Sequence, residues 1–189
     1  QGGRLHRDRR KSQSRQHGNL VANVQQMAAW MARDLVDGKE VFVCPLPLYH
    51  VYALTSCLVF LKMGAHTVLV TNPRDMKAYI HDLKRYPFTI IIGVNTLYRA
   101  LLDVPEFAEV DTRALKLTSA GGMAVQRVVA ERWKQRTGVD IIEGYGLTET
   151  APVAISNPLN ITDWTGNIGV PIPSTEAAIL DVVLELRAE

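Results

Sequence analysis

Several familiar chemistries are missing from this sequence. It holds two cysteines in 189 residues, Cys44 and Cys57, with no C-x-x-C spacing. That excludes a disulfide framework and a cysteine zinc site, and suits buried free thiols in a reducing compartment. There is no G-x-x-x-x-G-K-[ST] loop, no G-x-G-x-x-G turn, no H-E-x-x-H and no G-x-S-x-G. The longest apolar stretch, roughly residues 51–63, falls short of the ~20 residues needed to cross a bilayer. The first residues are polar, so no signal peptide is visible, and a soluble cytoplasmic protein is expected. Neither charge sign dominates: 21 Lys and Arg against 19 Asp and Glu leave a net charge of +2, which implies no acidic partner. What the chain has in quantity is apolar material, 47% of residues, ordinary for a globular protein with a real core.

The positive charge is concentrated at one end. Residues 1–18, QGGRLHRDRRKSQSRQHG, hold six Arg or Lys and one Asp and lack hydrophobic periodicity, so disorder is expected there. Beyond it, Leu20, Val24, Met27, Ala28, Met31 and Leu35 recur at helical steps and predict a helix over 20–36. Strands are predicted at 40–44, 67–70, 88–93, 115–122 and 139–146. Helices are predicted at 51–63, 75–85, 95–102 and 124–137. Strand and helix alternate, and the strands are continuous apolar runs. This predicts an α/β fold with a mostly parallel sheet covered by helices on both faces. From Pro152 the pattern changes to short β segments broken by Gly166, Gly169, Pro171 and Pro173. The expected division is a basic segment at 1–18, an α/β core at 19–155 and the start of a small β subdomain at 156–189.

In such sheets ligands bind beyond the carboxyl ends of the strands. Three unusual segments fall there: PLPLYH (45–50), TSAGGM (118–123) and EGYGLTET (143–150). In the last, Gly144 and Gly146 lack a Cβ and allow close approach to the backbone. Tyr145 offers a flat face for stacking on a heterocycle. Thr148 can donate to a phosphate oxygen, and Glu149 is a hard oxygen ligand of the kind Mg²⁺ takes beside phosphates. The set suits a nucleotide with its metal. The plain alternative is a strand-to-loop turn with a capping Thr and a solvated Glu. His50 could bond a carboxylate or a phosphate oxygen, or cap the following helix. Gly93 and Val94 could serve sheet–helix packing, line a ligand channel, or do both.

EGYGLTET closely resembles the signature of the adenylate-forming enzymes. PLPLYHVYAL, TNPRD, YPFTIIIGVNTLYRALL, LKLTSAGGMAVQRVVAERW and GNIGVPIPSTEAAILD look like successive blocks of a long-chain fatty acid–CoA ligase within that superfamily. The resemblance runs over residues 17–181. It implies part of the N-terminal domain of such an enzyme and a two-step reaction. A fatty acid carboxylate attacks ATP and releases pyrophosphate, and the thiol of coenzyme A then displaces AMP from the acyl-adenylate. The resemblance places Tyr145 on adenine, Thr148 at phosphate and Glu149 on Mg²⁺. Gly121, Gly122 and Met123 would line the adenine and acyl-carboxylate region together with Gly144 and Gly146. His50 would stand beside the acyl-adenylate, with Gly93 and Val94 in the acyl wall. His50, Thr148 and Glu149 are the candidate catalytic residues. The implied partners are fatty acid, ATP and coenzyme A. No nucleic acid is expected, while peripheral membrane association and a homodimer stay open. Amino-acid-activating relatives usually carry an aspartate near PLYH; residues 41–62 contain no acid, so an apolar acyl group fits better.

Three departures accompany the resemblance. The family's Thr-rich phosphate loop is not found before His17, where GGRLHRDRRKSQSRQ stands instead. Loss of similarity there, with an arginine-rich product, predicts that residues 1–16 are an out-of-frame reading of the loop's codons; the coding DNA decides this. A natural basic tail is the plain alternative, and an anion-binding patch a third. The family also continues past Glu189 into the rest of the β subdomain, a ribose-binding aspartate and a mobile C-terminal domain with a catalytic lysine. Finally, DVVLELRAE (181–189) stands where a polar turn is expected. The 189 residues alone are expected to form no acyl-CoA. Rival expectations are a fatty-acyl-AMP ligase or another acid–thiol ligase and, from a different class, a non-catalytic binding module working through the basic tail.

Overall fold

The computed structural model describes residues 2–178, with side chains from residue 17 onward. Its elements are helix α1 (Gly2–Met31), strand β1 (Val41–Cys44), helix α2 (Val51–Lys62), β2 (His66–Leu69), α3 (Met76–Arg85), β3 (Ile90–Gly93), α4 (Asn95–Asp103), β4 (Leu117–Ala120), α5 (Arg127–Thr137), β5 (Ile141–Gly146), β6 (Val153–Ser156) and β7 (Val170–Pro171). The seven strands form a sheet of order β2-β1-β3-β4-β5-β6-β7. The first five run parallel, while β5–β6 and β6–β7 pair antiparallel. The composition change at Pro152 thus coincides with a reversal of strand direction.

Strand alternation assigns each face its own core. Phe42, Cys44, Ile90, Ile92, Leu117 and Ile142 face α1 and α2, where they meet Met27, Met31, Val59 and Phe60. Val43, Ile91 and Ile141 face the opposite side with Tyr79, Leu83, Tyr98, Leu101 and Trp133 from α3, α4 and α5. All four residues of β3 are buried, as expected for a strand covered on both faces. Ring contacts Phe42–Phe60 at 4.4 Å and Tyr98–Trp133 at 4.7 Å mark the two cores.

The N-terminal helix differs from expectation at both ends. It runs from Gly2, so residues 2–18 are helical rather than disordered. No proline interrupts them, and Arg, Lys, Gln and Leu are good helix formers. It stops at Met31, short of the expected 36, and a turn then carries Leu35 into the core. The segment 179–189, including the apolar end DVVLELRAE, lies outside the described residues.

At the amino edge of the sheet, Glu40 is buried and bonds Lys116 Nζ at 2.8 Å and the Val36 N–H at 2.9 Å. Burial alone would raise the Glu40 carboxyl, but the hydrogen bonds, led by Lys116, hold it below its usual value.

Candidate functional site

Register brings the glycine segments together. Gly93 pairs with Ala120 and Ala120 with Glu143, so the carboxyl ends of β3, β4 and β5 lie in one row. Gly121-Gly122 and Gly144-Tyr145-Gly146 therefore emerge side by side. Beneath them, between the sheet and helices α1 and α2, lies a cavity of about 340 Å³, within the range of small-molecule sites. Its mouth is formed by His50, Gly121, Gly122, Tyr145, Thr148 and Glu149. Its depth is lined by Met27, Met31, Val59, Phe60, Ile92 and Leu117. Among the described lining residues Glu149 is the only carboxylate.

His50 caps α2: its Nδ1 accepts from the Tyr52 N–H at 3.2 Å. The capping alternative is thus realised, and it determines the tautomer. With Nδ1 accepting, a neutral imidazole carries its proton on Nε2, leaving that one donor for the cavity mouth. The ring caps the helix and lines the cavity at once.

The turn after β5 is held by Thr150, not by Thr148. Thr150 Oγ1 accepts from the Leu147 N–H at 2.8 Å, and its single proton is shared between the carbonyls of Leu147 and Pro152. With Thr150 doing the capping, Thr148 and Glu149 stand exposed on a short 3₁₀ turn among the residues that line the cavity. Tyr145 lines the same mouth and is 46% exposed.

Two glycine readings need correction. An added Cβ on Gly93 would come within 2.8 Å of the Tyr98 ring, on the face away from the cavity. Gly93 makes room for Tyr98, whose hydroxyl donates to the Ser119 carbonyl at 2.5 Å, and not for an acyl chain. An added Cβ on Gly146 would overlap the Pro152 carbonyl, so the returning backbone requires its bare Cα, while the residue still lines the cavity. Gly122, by contrast, has φ +81° and open space beside it, so a side chain is excluded there by backbone conformation. Val94 and Met123 do not line the cavity. Val94 precedes α4, and Met123 is 49% exposed on the loop beyond Gly122.

Other residues that shape the site had no site role assigned from the sequence. Buried Glu143 accepts from the Val125 N–H and from Trp164 Nε1, both at 2.8 Å, and so fixes the loop after Met123. Asn95 Oδ1 accepts from the Gln126 N–H at 2.9 Å on the same loop. Tyr52 and Ser119 form the wall between α2 and β4, their hydroxyl oxygens 3.0 Å apart. Burial pushes the Tyr52 phenol well above its usual value, with the Ser119 bond opposing. The signal available was position: Glu143 opens the glycine-rich string, and Ser119 lies one residue before the end of the preceding strand. Asn23 of α1 makes both amide bonds to Val153, donating to its carbonyl at 2.7 Å and accepting from its N–H at 3.1 Å.

A doubly covered sheet with a polar-mouthed, apolar-floored cavity at its carboxyl edge defines a ligand-binding α/β domain. Residues 11–187 match the family described as AMP-binding enzyme, and the chain belongs to that family. It is 50% identical over 166 residues to a long-chain-fatty-acid–CoA ligase of Escherichia coli O6:H1, covering 87% of this chain and 30% of that protein. The chain thus spans about 30% of the length of the curated relatives it matches. Among solved structures it is similar to the anthranilate CoA ligase AuaEII in complex with anthranoyl-AMP. There the TM-score is 0.71 at 25% identity, over 83% of this chain and 30% of that one. It is also similar to a malonyl-CoA ligase with methylmalonyl-CoA and AMP bound, with TM-score 0.69 at 27% identity, over 82% and 33% of the two chains.

Proposed function

We propose that this chain carries the acyl-adenylate region of an AMP-forming long-chain fatty acid–CoA ligase. The carrying observation is the polarity gradient of the cavity: hydrogen-bonding groups and an aromatic face at its mouth, methionines and aliphatic side chains in its depth. The 50% identity to a long-chain-fatty-acid–CoA ligase supports the same substrate class.

In this reading the fatty acid lies with its tail between α1, α2 and the sheet and its carboxylate at the mouth. Tyr145 stacks on the adenine of ATP. His50 donates from Nε2 and Thr148 from its hydroxyl to carboxylate or phosphate oxygens. Both hold negative charge in place while the carboxylate oxygen attacks the α-phosphorus and pyrophosphate leaves. Coenzyme A then takes the acyl group from the adenylate and releases AMP.

The donor set also suits Mg²⁺, which would offset phosphate charge in the first step. Among the described residues no cluster of three or more His, Cys, Asp or Glu forms a cation cage. Glu149 with neighbouring Thr148 supplies one hard-oxygen edge, which fits a cation that keeps most of its coordination for waters and phosphates.

The test is binding of a non-hydrolysable palmitoyl-adenylate analogue, followed by calorimetry. The chain is expected to bind it, and Tyr145→Ala is expected to weaken binding by ~1–3 kcal/mol, the worth of one stacked base. Equal affinity of both chains would remove Tyr145 from the nucleotide site. No binding by either would reject the reading.

A further inference from the structure

Two residues from different loops meet on one buried carboxylate. Glu143 is 6% exposed and is not among the residues that line the cavity, and neither are Val125 and Trp164. Its Oε1 accepts from the Val125 N–H and its Oε2 from Trp164 Nε1, each at 2.8 Å. Among the described residues no Lys, Arg or His forms an ion pair with it. Two N–H donors thus stand where a buried carboxylate commonly has a cation. The side-chain type follows from that. A carboxylate only accepts, so each of its oxygens can take one donor. A glutamine of the same shape has one acceptor and sets its N–H₂ against the second donor.

The bonds join the cavity mouth to a segment outside it. Val125 ends the loop that carries Gly121 and Gly122 along the mouth. Glu143 itself leads into Gly144 and Tyr145, which line the same mouth. Trp164 lies between β6 and β7, in a segment fixed by other contacts. Lys134 of α5 donates to the Thr162 carbonyl and bonds Asp163 at 3.1 Å, and Arg127 Cζ lies 5.7 Å from the Trp164 ring. We propose that Glu143 is a positioning residue for the nucleotide end of the ligand. Its carboxylate sets the glycine loop against the Tyr145 string, and Trp164 holds that carboxylate from outside the cavity. This rests on the acyl-adenylate reading above. The chain end, among Met27, Met31, Val59 and Phe60, is walled by α1 and α2 and lies apart from these bonds.

The test compares calorimetric affinities for the palmitoyl-adenylate analogue and for palmitate, with folding followed by urea titration. Glu143→Gln is expected to weaken the analogue ~5- to 50-fold, the scale of one buried donor left unpaired, and palmitate by less than ~2-fold. Trp164→Phe keeps a ring and removes the N–H, and is expected to weaken the analogue ~2- to 5-fold from outside the cavity. With both substitutions the amide no longer faces the indole N–H, so the analogue is expected to bind tighter than to Glu143→Gln alone. Equal losses for palmitate and the analogue would assign Glu143 to packing alone and overturn the inference. A double variant weaker than Glu143→Gln would do the same. Unchanged analogue affinity in Trp164→Phe also overturns it, and decides the matter if Glu143→Gln does not fold. Failure of the unaltered chain to bind either ligand overturns the acyl-adenylate reading itself, and this inference with it.

Discussion

The Tyr52 hydroxyl and Ser119 Oγ meet at 3.0 Å and tie α2 to the end of β4 along the cavity wall. The bond joins two elements that flank the cavity, and the Tyr52 ring also lies against Gly121, 3.3 Å from where a Cβ would stand. Tyr52→Phe keeps the ring and frees the Ser119 hydroxyl. The expected loss is about 1 kcal/mol of stability by denaturant titration. Binding of the acyl-adenylate analogue should fall with it, because the wall is no longer anchored.

Glu149 is expected to act through a cation. ATP affinity of the chain should rise when Mg²⁺ is added. In Glu149→Gln that rise should shrink by ~10-fold or more, the scale on which even outer-shell partners of metals act. Affinity without Mg²⁺ should change little. Calorimetry with and without the cation gives both numbers, and an unchanged Mg²⁺ effect would remove Glu149 from the metal.

Gly93→Ala separates two readings of a glycine. If Gly93 accommodates Tyr98, the added methyl must push a buried ring, and stability should fall by about 1–3 kcal/mol. Acyl-chain selectivity should stay as it was, because the clash is on the other face of the sheet. A change of chain-length preference without loss of stability would restore the channel role.

The Lys116–Glu40 pair gives a pH signature. The folded Glu40 carboxyl is held below its ordinary value, so its stabilising contribution is present above the usual carboxylate range and is lost as pH falls through the folded value. Lys116→Met removes the leading bond to a side chain only 1% exposed. It should cost about 2 kcal/mol at neutral pH, less than for a fully buried pair because Lys116 is itself 43% exposed. The acid-side slope of stability should flatten in that variant. Urea titrations across pH 3–7, roughly the carboxylate range, test both statements.

The sheet was legible because its strands are unbroken apolar runs. FTIIIG could only be a strand buried on both faces, and β3 is buried throughout. The site string was legible because Tyr145, Thr148 and Glu149 form an uncommon set, and all three reach one cavity. What stayed hidden depends on three-dimensional neighbours. A glycine reports that a side chain is excluded, not what excludes it, so Gly93 pointed to the wrong face. Thr55 sits inside VYALTSCLVF beside Tyr52 and Ser56, and nothing in the run marks which hydroxyl is buried without a partner. The division of labour between Thr148 and Thr150 follows from turn geometry, since both are threonines two residues apart.

Asn23 deserves a last consequence. Its side-chain amide replaces a strand neighbour for Val153, giving and receiving one bond each. The same helix carries Met27 and Met31 on the cavity floor, while Val153 closes the hairpin that bears Thr148 and Glu149. Floor and rim are thereby clasped by a single residue. On the acyl-site reading proposed above, a long tail that shoulders α1 outward would tug the turn bearing Thr148 and Glu149 in the same motion, so chain length would be felt at the nucleotide without any contact between the two ligands.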